Sequence, residues 1–217
     1  YSCAGKEFVE ICEALDLFAD GSRPTIIAHS FGSGAALTAV SQSPDAFAGV
    51  IVCDLMVMRP EKLEKYWTMG RSSPGSGNPD KPVRRYPTYE AARERYILSP
   101  PQAVGEPFLM DYMAYHSLRR DGEEWTWKFS PEVFRRSNKP DEWLTVGQRL
   151  VDAPGRKAIV YGEKSQLFDR DSARYIRELG GGKIPIVAVP DARHHLMLDQ
   201  PLAFVAALRA VLAFWSL

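Results

Sequence analysis

Cysteine is scarce in this 217-residue chain. Cys3, Cys12 and Cys53 are the three present, and none stands in a C-x-x-C or Cys/His spacing that would hold a metal. An odd number of thiols with apolar flanks points to reduced core residues and a cytoplasmic setting rather than a disulfide-stapled fold. An excess of one charge is lacking too. Lys+Arg and Asp+Glu both number 27, for a formal net charge of zero. Nucleic-acid and anionic-membrane surfaces need a basic excess, so neither partner is expected. No stretch of these residues shows a signal-peptide or membrane-spanning pattern; the apolar C-terminal run Pro201–Leu217 is broken by Arg209 and is expected to be a helix packed into a core. Internal repeats and low-complexity tracts are also missing. What remains is a chain long enough to bury a substantial core as one domain, with room for an inserted subdomain.

The informative stretch is Pro24–Val40. Pro24-Thr25-Ile26-Ile27 is a short β-branched run that predicts a buried strand, and it passes without a spacer into Ala28-His29-Ser30-Phe31-Gly32-Ser33-Gly34. An Ala/Leu/Val helix to about Gln42 follows. A strand, a serine between small residues and a helix make a nucleophile elbow, G-x-S-x-G with Ala28 in place of the first glycine. The turn is tight enough that residues two before and two after the serine are expected to need almost no side chain. Ser30 would then stand clear of the sheet, with the Phe31 N–H aimed at whatever its oxygen attacks. A Gly/Ser-rich turn without chemistry has the same composition, so the reading depends on a histidine.

Around the elbow the chain alternates strand and helix. Lys6–Phe18 predicts an amphipathic helix, and Phe47–Cys53 a second buried strand ending at Asp54. From about Met58 to Val151 the sequence turns rich in charge, aromatics and proline. Helices are expected there over Tyr89–Ile97, Gln102–Leu118 and Asp141–Leu150, an extended run over Trp125–Phe129, and a loop over Arg71–Pro82. Regularity returns with strand Arg156–Tyr161, helix Asp171–Leu179, strand Ile184–Val189 and helix Pro201–Phe214. The fold class is thus α/β, a mostly parallel sheet flanked by helices. The organisation is core at 1–57, an inserted, mainly helical cap at 58–151, and core again at 152–217. His194 and His195 follow the last strand, on the rim where parallel sheets build their sites.

With these residues the chain resembles the α/β-hydrolase fold superfamily, in its branch with a helical cap. Ala28-His29-Ser30-Phe31-Gly32 is similar to that family's elbow, Val50–Asp54 to the next strand, and Asp191-Ala192-Arg193-His194 to its histidine loop. The resemblance implies Ser30 as nucleophile, His194 as general base, His195 as a packing residue and the Phe31 N–H as an oxyanion donor. It places the acid of the triad in the loop Gly162–Gln166, yet Ser165 and Gln166 stand there. Asp54, at the other position such enzymes use, is the candidate, with Glu163 and Asp169 as alternatives. The resemblance also implies further strands and a second oxyanion donor ahead of Tyr1, which leads us to expect a fragment, a processed chain or a chain with a partner subunit, and weak or no activity for the chain alone. The implied function is serine hydrolysis of a small to medium, partly apolar ester or related carbonyl compound, with no cofactor and no metal, and with that small molecule and a missing N-terminal segment or partner chain as the expected partners. An aspartate at the elbow would have marked the dehalogenase and epoxide-hydrolase branches. An acyltransferase, a C–C bond hydrolase and a non-catalytic ligand receptor share the same pattern. Tyr66, Trp67, Met69, Met110, Tyr112, Met113, Trp125 and Trp127 suggest an apolar substrate, although about half of them are expected to be packing residues.

Overall fold

The computed structural model describes residues 4–68, 83–104, 106–130 and 143–216. The loop expected over Arg71–Pro82 lies outside the described residues, as do Cys3 and Met69. In chain order the elements are α1 (Ala4–Ala14), β1 (Thr25–His29), α2 (Phe31–Gln42), β2 (Gly49–Cys53), α3 (Pro60–Thr68) and β3 (Arg85–Tyr86). Next come α4 (Tyr89–Arg93), α5 (Pro107–Ser117), β4 (Leu118–Asp121), β5 (Glu124–Trp127) and α6 (Val146–Asp152). The chain closes with β6 (Arg156–Gly162), α7 (Arg170–Gly180), β7 (Ile186–Val189), α8 (Leu196–Asp199) and α9 (Pro201–Trp215).

Strands β1, β2, β6 and β7 form one parallel sheet in that order. All five residues of β2 are buried, as an interior strand covered on both faces requires. Alternation then divides its side chains. Val50 and Val52 join Ile159 and Tyr161 against α1, α2, α6 and α7, whereas Ile51 and Cys53 join Ala158 and Val160 against α8 and α9. Each fully buried Val or Ile contributes about 1.5–3 kcal/mol of transfer free energy, so these two layers fix the register of the interior strands. Small residues Ser33, Gly34, Ala36 and Ala39 form the buried side of α2 and let that helix lie close on the sheet.

Between the neighbouring strands β2 and β6 runs the long insertion. Besides its helices it holds a three-stranded antiparallel sheet in the order β3-β5-β4, so it is more β-rich than the expected, mainly helical cap. Trp125 and Trp127 of β5 pack on Tyr89, Tyr86 and Tyr96, with ring centroids 5.2, 6.0 and 6.0 Å apart. Several helices are shorter than their patterns suggest. Helix α5 begins only at Pro107, its N1 residue, because proline bars helical geometry in the residue before it. Asp16 adopts a φ of 55°, which helps end α1 short of Phe18. Helix α6 runs Val146–Asp152, parted at Thr145 from helical residues 143–144, and stops before Pro154; the expected start at Asp141 lies outside the described residues.

Candidate active site

Because the four strands are parallel, their C-terminal ends share one rim. Ser30 leaves β1 there with φ 52° and ψ −123°, a conformation L residues adopt only under constraint, at a cost of about 1–3 kcal/mol. Three contacts hold it. The Ser30 N–H donates to the Cys53 carbonyl at 2.8 Å, the Ser33 N–H to the Ser30 carbonyl at 2.9 Å, and the Ser33 hydroxyl to the Ala28 carbonyl at 2.9 Å. Phe31 opens α2, where first-turn N–H groups point out along the helix axis. The expected steric demand on Gly32 is not met: a Cβ there would find no heavy atom within 4 Å. The tight side of the turn is at Ala28, which is buried, while position 32 faces open space.

Asp54 continues β2 onto the same rim with φ 49°, a left-handed conformation that aspartate tolerates better than most residues. Its carboxylate is fully buried and accepts from three donors. Oδ2 takes the Gly162 N–H at 2.8 Å; Oδ1 takes the Ser165 hydroxyl at 2.5 Å and His194 Nδ1–H at 2.9 Å. His194 is itself 3% exposed. Of the three carboxylates considered from sequence, the structure brings Asp54 to the imidazole. Asp169 instead caps α7 by accepting the Ser172 N–H, and it pairs with Lys62 at 2.7 Å. Lys62 and the Ser172 N–H hold its carboxyl below the usual range, against the opposing pull of burial. Glu163 faces Arg170 at the surface. Ser165, at the position where an acid was sought, turns its hydroxyl onto Asp54, and Gln166 is exposed.

The histidine loop, residues 190–195, is pinned from several sides. Lys164 N–H donates to Ala192 O at 2.8 Å, Arg193 N–H to Asp199 Oδ2 at 2.7 Å, and His195 N–H to Gln102 Oε1 at 2.9 Å. Gly162 lets this loop come close: a Cβ there would lie 2.3 Å from Arg193 O and 2.5 Å from Ala192 O. Pattern reasoning passed over Gly162, whose only signal was a glycine ending a buried strand. It also passed over His29. The His29 ring lies tilted against His194, centroids 4.7 Å apart, and its Nε2–H donates to the His194 carbonyl at 2.8 Å. Burial first, then the neighbouring His194, lowers His29 to a pKa of about 4, and the same two causes bring His195 to about 4. Position could have flagged His29, since it ends β1 on the rim that carries the other two rings.

A separate cleft of about 740 Å³ lies at the opposite end of the sheet, lined by Arg156, Lys157, Lys183, Ile184, Phe214 and Trp215 among others. Among the described residues that line it, no nucleophile and base come together.

The chain resembles many solved structures at low sequence identity. An esterase from Mycobacterium tuberculosis superposes with a TM-score of 0.67 at 16% identity, over 97% of this chain and 67% of the esterase. E-2-(Acetamidomethylene)succinate hydrolase gives 0.67 at 16%, over 96% and 72%. The thioesterase domain from the curacin biosynthetic pathway gives 0.60 at 15%, over 94% and 71%. At such identities the likeness is one of fold. No curated protein matches by sequence. The family model described as alpha/beta hydrolase family does match, over residues 2–208, a span that includes the elbow, Asp54 and the histidine loop. The chain therefore belongs to the alpha/beta hydrolase family.

Proposed function

We propose that the protein is a serine hydrolase that cleaves a small to medium, partly apolar ester or related carbonyl compound through an acyl-enzyme on Ser30. The observation that carries this reading is the 2.9 Å bond from His194 Nδ1–H to buried Asp54, on the rim where Ser30 sits in its constrained turn. With its Nδ1 proton committed to Asp54, the His194 ring keeps its Nε2 lone pair for a proton from Ser30. Ser30 Oγ attacks the carbonyl carbon as its proton passes to His194, and the Phe31 N–H donates a hydrogen bond to the oxygen on which charge develops. The intermediate collapses, His194 returns the proton to the leaving group, and the acyl group stays on Ser30. Water then attacks with His194 again as base, releasing the acid and restoring Ser30. Asp54 stays ionised throughout and stabilises the imidazolium.

In this reading the insertion between β2 and β6 serves as the cap, and Tyr66, Met110, Tyr112 and Met113 are its candidates for apolar contact with substrate. Trp125 and Trp127 are better read as packing, given their tyrosine partners. The similar structures, an esterase, a succinate-derivative hydrolase and a thioesterase, support a carbonyl substrate without choosing its class.

The test is covalent labelling with a fluorophosphonate, with Ser30→Ala alongside. Labelling of the wild type that the substitution abolishes is the expected result. A folded protein that takes no label, yet binds small apolar carbonyl compounds equally with and without the Ser30 hydroxyl, would be a receptor instead.

A further inference from the structure

Three of the chain's four histidines meet on the rim: His29, His194 and His195. One ring nitrogen of each lies within 4.8 Å of one nitrogen of both others. Ring centroids are 4.7 Å apart for His29–His194 and for His194–His195, and 5.5 Å for His29–His195. No spacing rule reveals the group, because His29 lies 165 positions from His194 and joins it only through the register of the sheet.

Proton accounting leaves each ring a lone pair to offer. His194 spends Nδ1–H on Asp54, so Nε2 is the basic nitrogen. His29 spends Nε2–H on the His194 carbonyl, which can only accept, so Nδ1 carries its lone pair. His195 Nε2 is buried and has no hydrogen-bond partner, an arrangement uncommon enough in folded proteins to need a reason. Three neutral imidazoles, one of them backed by a carboxylate, are the donor set that zinc and similar borderline ions take. Zinc–nitrogen bonds of about 2.0–2.1 Å in tetrahedral geometry need ligand nitrogens roughly 3.3 Å apart, so ring nitrogens within 4.8 Å of one another would have to draw in by about 1.5 Å at most.

We propose that His29, His194 and His195 bind one borderline divalent cation such as Zn²⁺, and that its binding silences Ser30 by occupying the nitrogen that would take the serine's proton. The ion coordinates lone pairs and neither makes nor breaks any other bond. It acts as an inhibitor here, with water completing its coordination. The silencing half rests on the function proposed above; the binding half does not.

The experiment joins calorimetry with Zn²⁺ to fluorophosphonate labelling with and without the ion, on wild type, His29→Gln, His195→Gln and His116→Gln, each first shown to be folded by circular dichroism. The expected wild-type result is one Zn²⁺ per chain, removable by EDTA, and labelling suppressed at least tenfold. His29→Gln and His195→Gln should each weaken binding at least tenfold, and the ratio of labelling with and without Zn²⁺ should approach one. Using that ratio cancels any change in basal labelling. His116→Gln, which removes the only histidine outside the cluster, should behave as wild type. Absence of Zn²⁺ binding, or binding indifferent to His29→Gln and His195→Gln, would overturn the site. Binding that needs those residues but leaves labelling intact, or raises it, would overturn the silencing. If wild type takes no label even without metal, it is the proposed hydrolase function that fails, and calorimetry still decides the site.

Discussion

Asp54 has a full complement of donors at close range, which makes substitution there diagnostic. Asp54→Asn keeps the shape but offers an NH₂ group to a pocket that already supplies the donors Gly162 N–H, Ser165 O–H and His194 Nδ1–H. The ring is then driven toward the wrong tautomer, and turnover of a short chromogenic ester should fall by about 10⁴-fold. Glu163→Gln and Asp169→Asn should leave turnover near wild type. Asp169→Asn is expected instead to lower thermal stability slightly, by weakening the pairing with Lys62. Near-normal turnover in Asp54→Asn would move the orienting role elsewhere. A carboxylate ending a buried apolar strand was visible in the sequence as a candidate. The reason it could not be chosen there is equally physical: its partners Gly162, Ser165 and His194 lie 108, 111 and 140 positions away, and only the sheet brings them together.

At the scale of elements, the end of β6 and the histidine loop are in backbone contact, with Gly162 as the spacer. Gly162→Ala puts a methyl group into the Ala192 and Arg193 carbonyls, and neither is the end of a flexible side chain. Overpacking of this kind typically costs about 1–3 kcal/mol. The variant should show a lowered Tm and, because the loop carrying His194 must shift, turnover reduced at least tenfold. Gly32→Ala is the contrasting case. With open space at that position, its Tm should match wild type, even though the motif marks Gly32 as the more demanding glycine. Equal Tm losses in both variants would refute this. The elbow was readable because it is local: strand, turn and helix follow one another within the eighteen residues Thr25–Gln42. Helix limits in the insertion were less so: Pro107 sets the start of α5 more firmly than the apolar pattern does, and α4 starts at Tyr89 as expected but ends at Arg93 rather than Ile97. The pairing of β3 with β5 joins Arg85 to Thr126 and Tyr86 to Trp125, and nothing local announces it.

For the molecule as a whole, the interior thiol reports on global opening. Burial, with Asp54 next to it, pushes the Cys53 thiol up to about 12, and its side chain has no exposure. Folded protein at pH 8 should therefore leave Cys53 unmodified by iodoacetamide, while denatured protein reacts there; mass spectrometry of Cys53-containing peptides checks this. Between about pH 9 and 12 the unfolded chain has lost the Cys53 proton and the folded one retains it, so the folded state binds more protons. Stability contributed by this group must then fall as pH rises above about 9, by about 1.4 kcal/mol per pH unit at most. Denaturant titrations at pH 8 and pH 10 should show that direction, and a rise would contradict it.

Cys53 also occupies a mechanical position. Its carbonyl grips the Ser30 N–H, and its peptide bond leads directly to Asp54. Serine and aspartate are thus anchored on either side of one residue in the most deeply buried strand, and they form a single rigid jaw. The imidazole comes from a different strand and is the other jaw, held by loop contacts. Any change that tunes the gap between them, whether by mutation, temperature or a bound ligand, has to work through residues 190–195, because the opposing jaw can yield only by breaking the core.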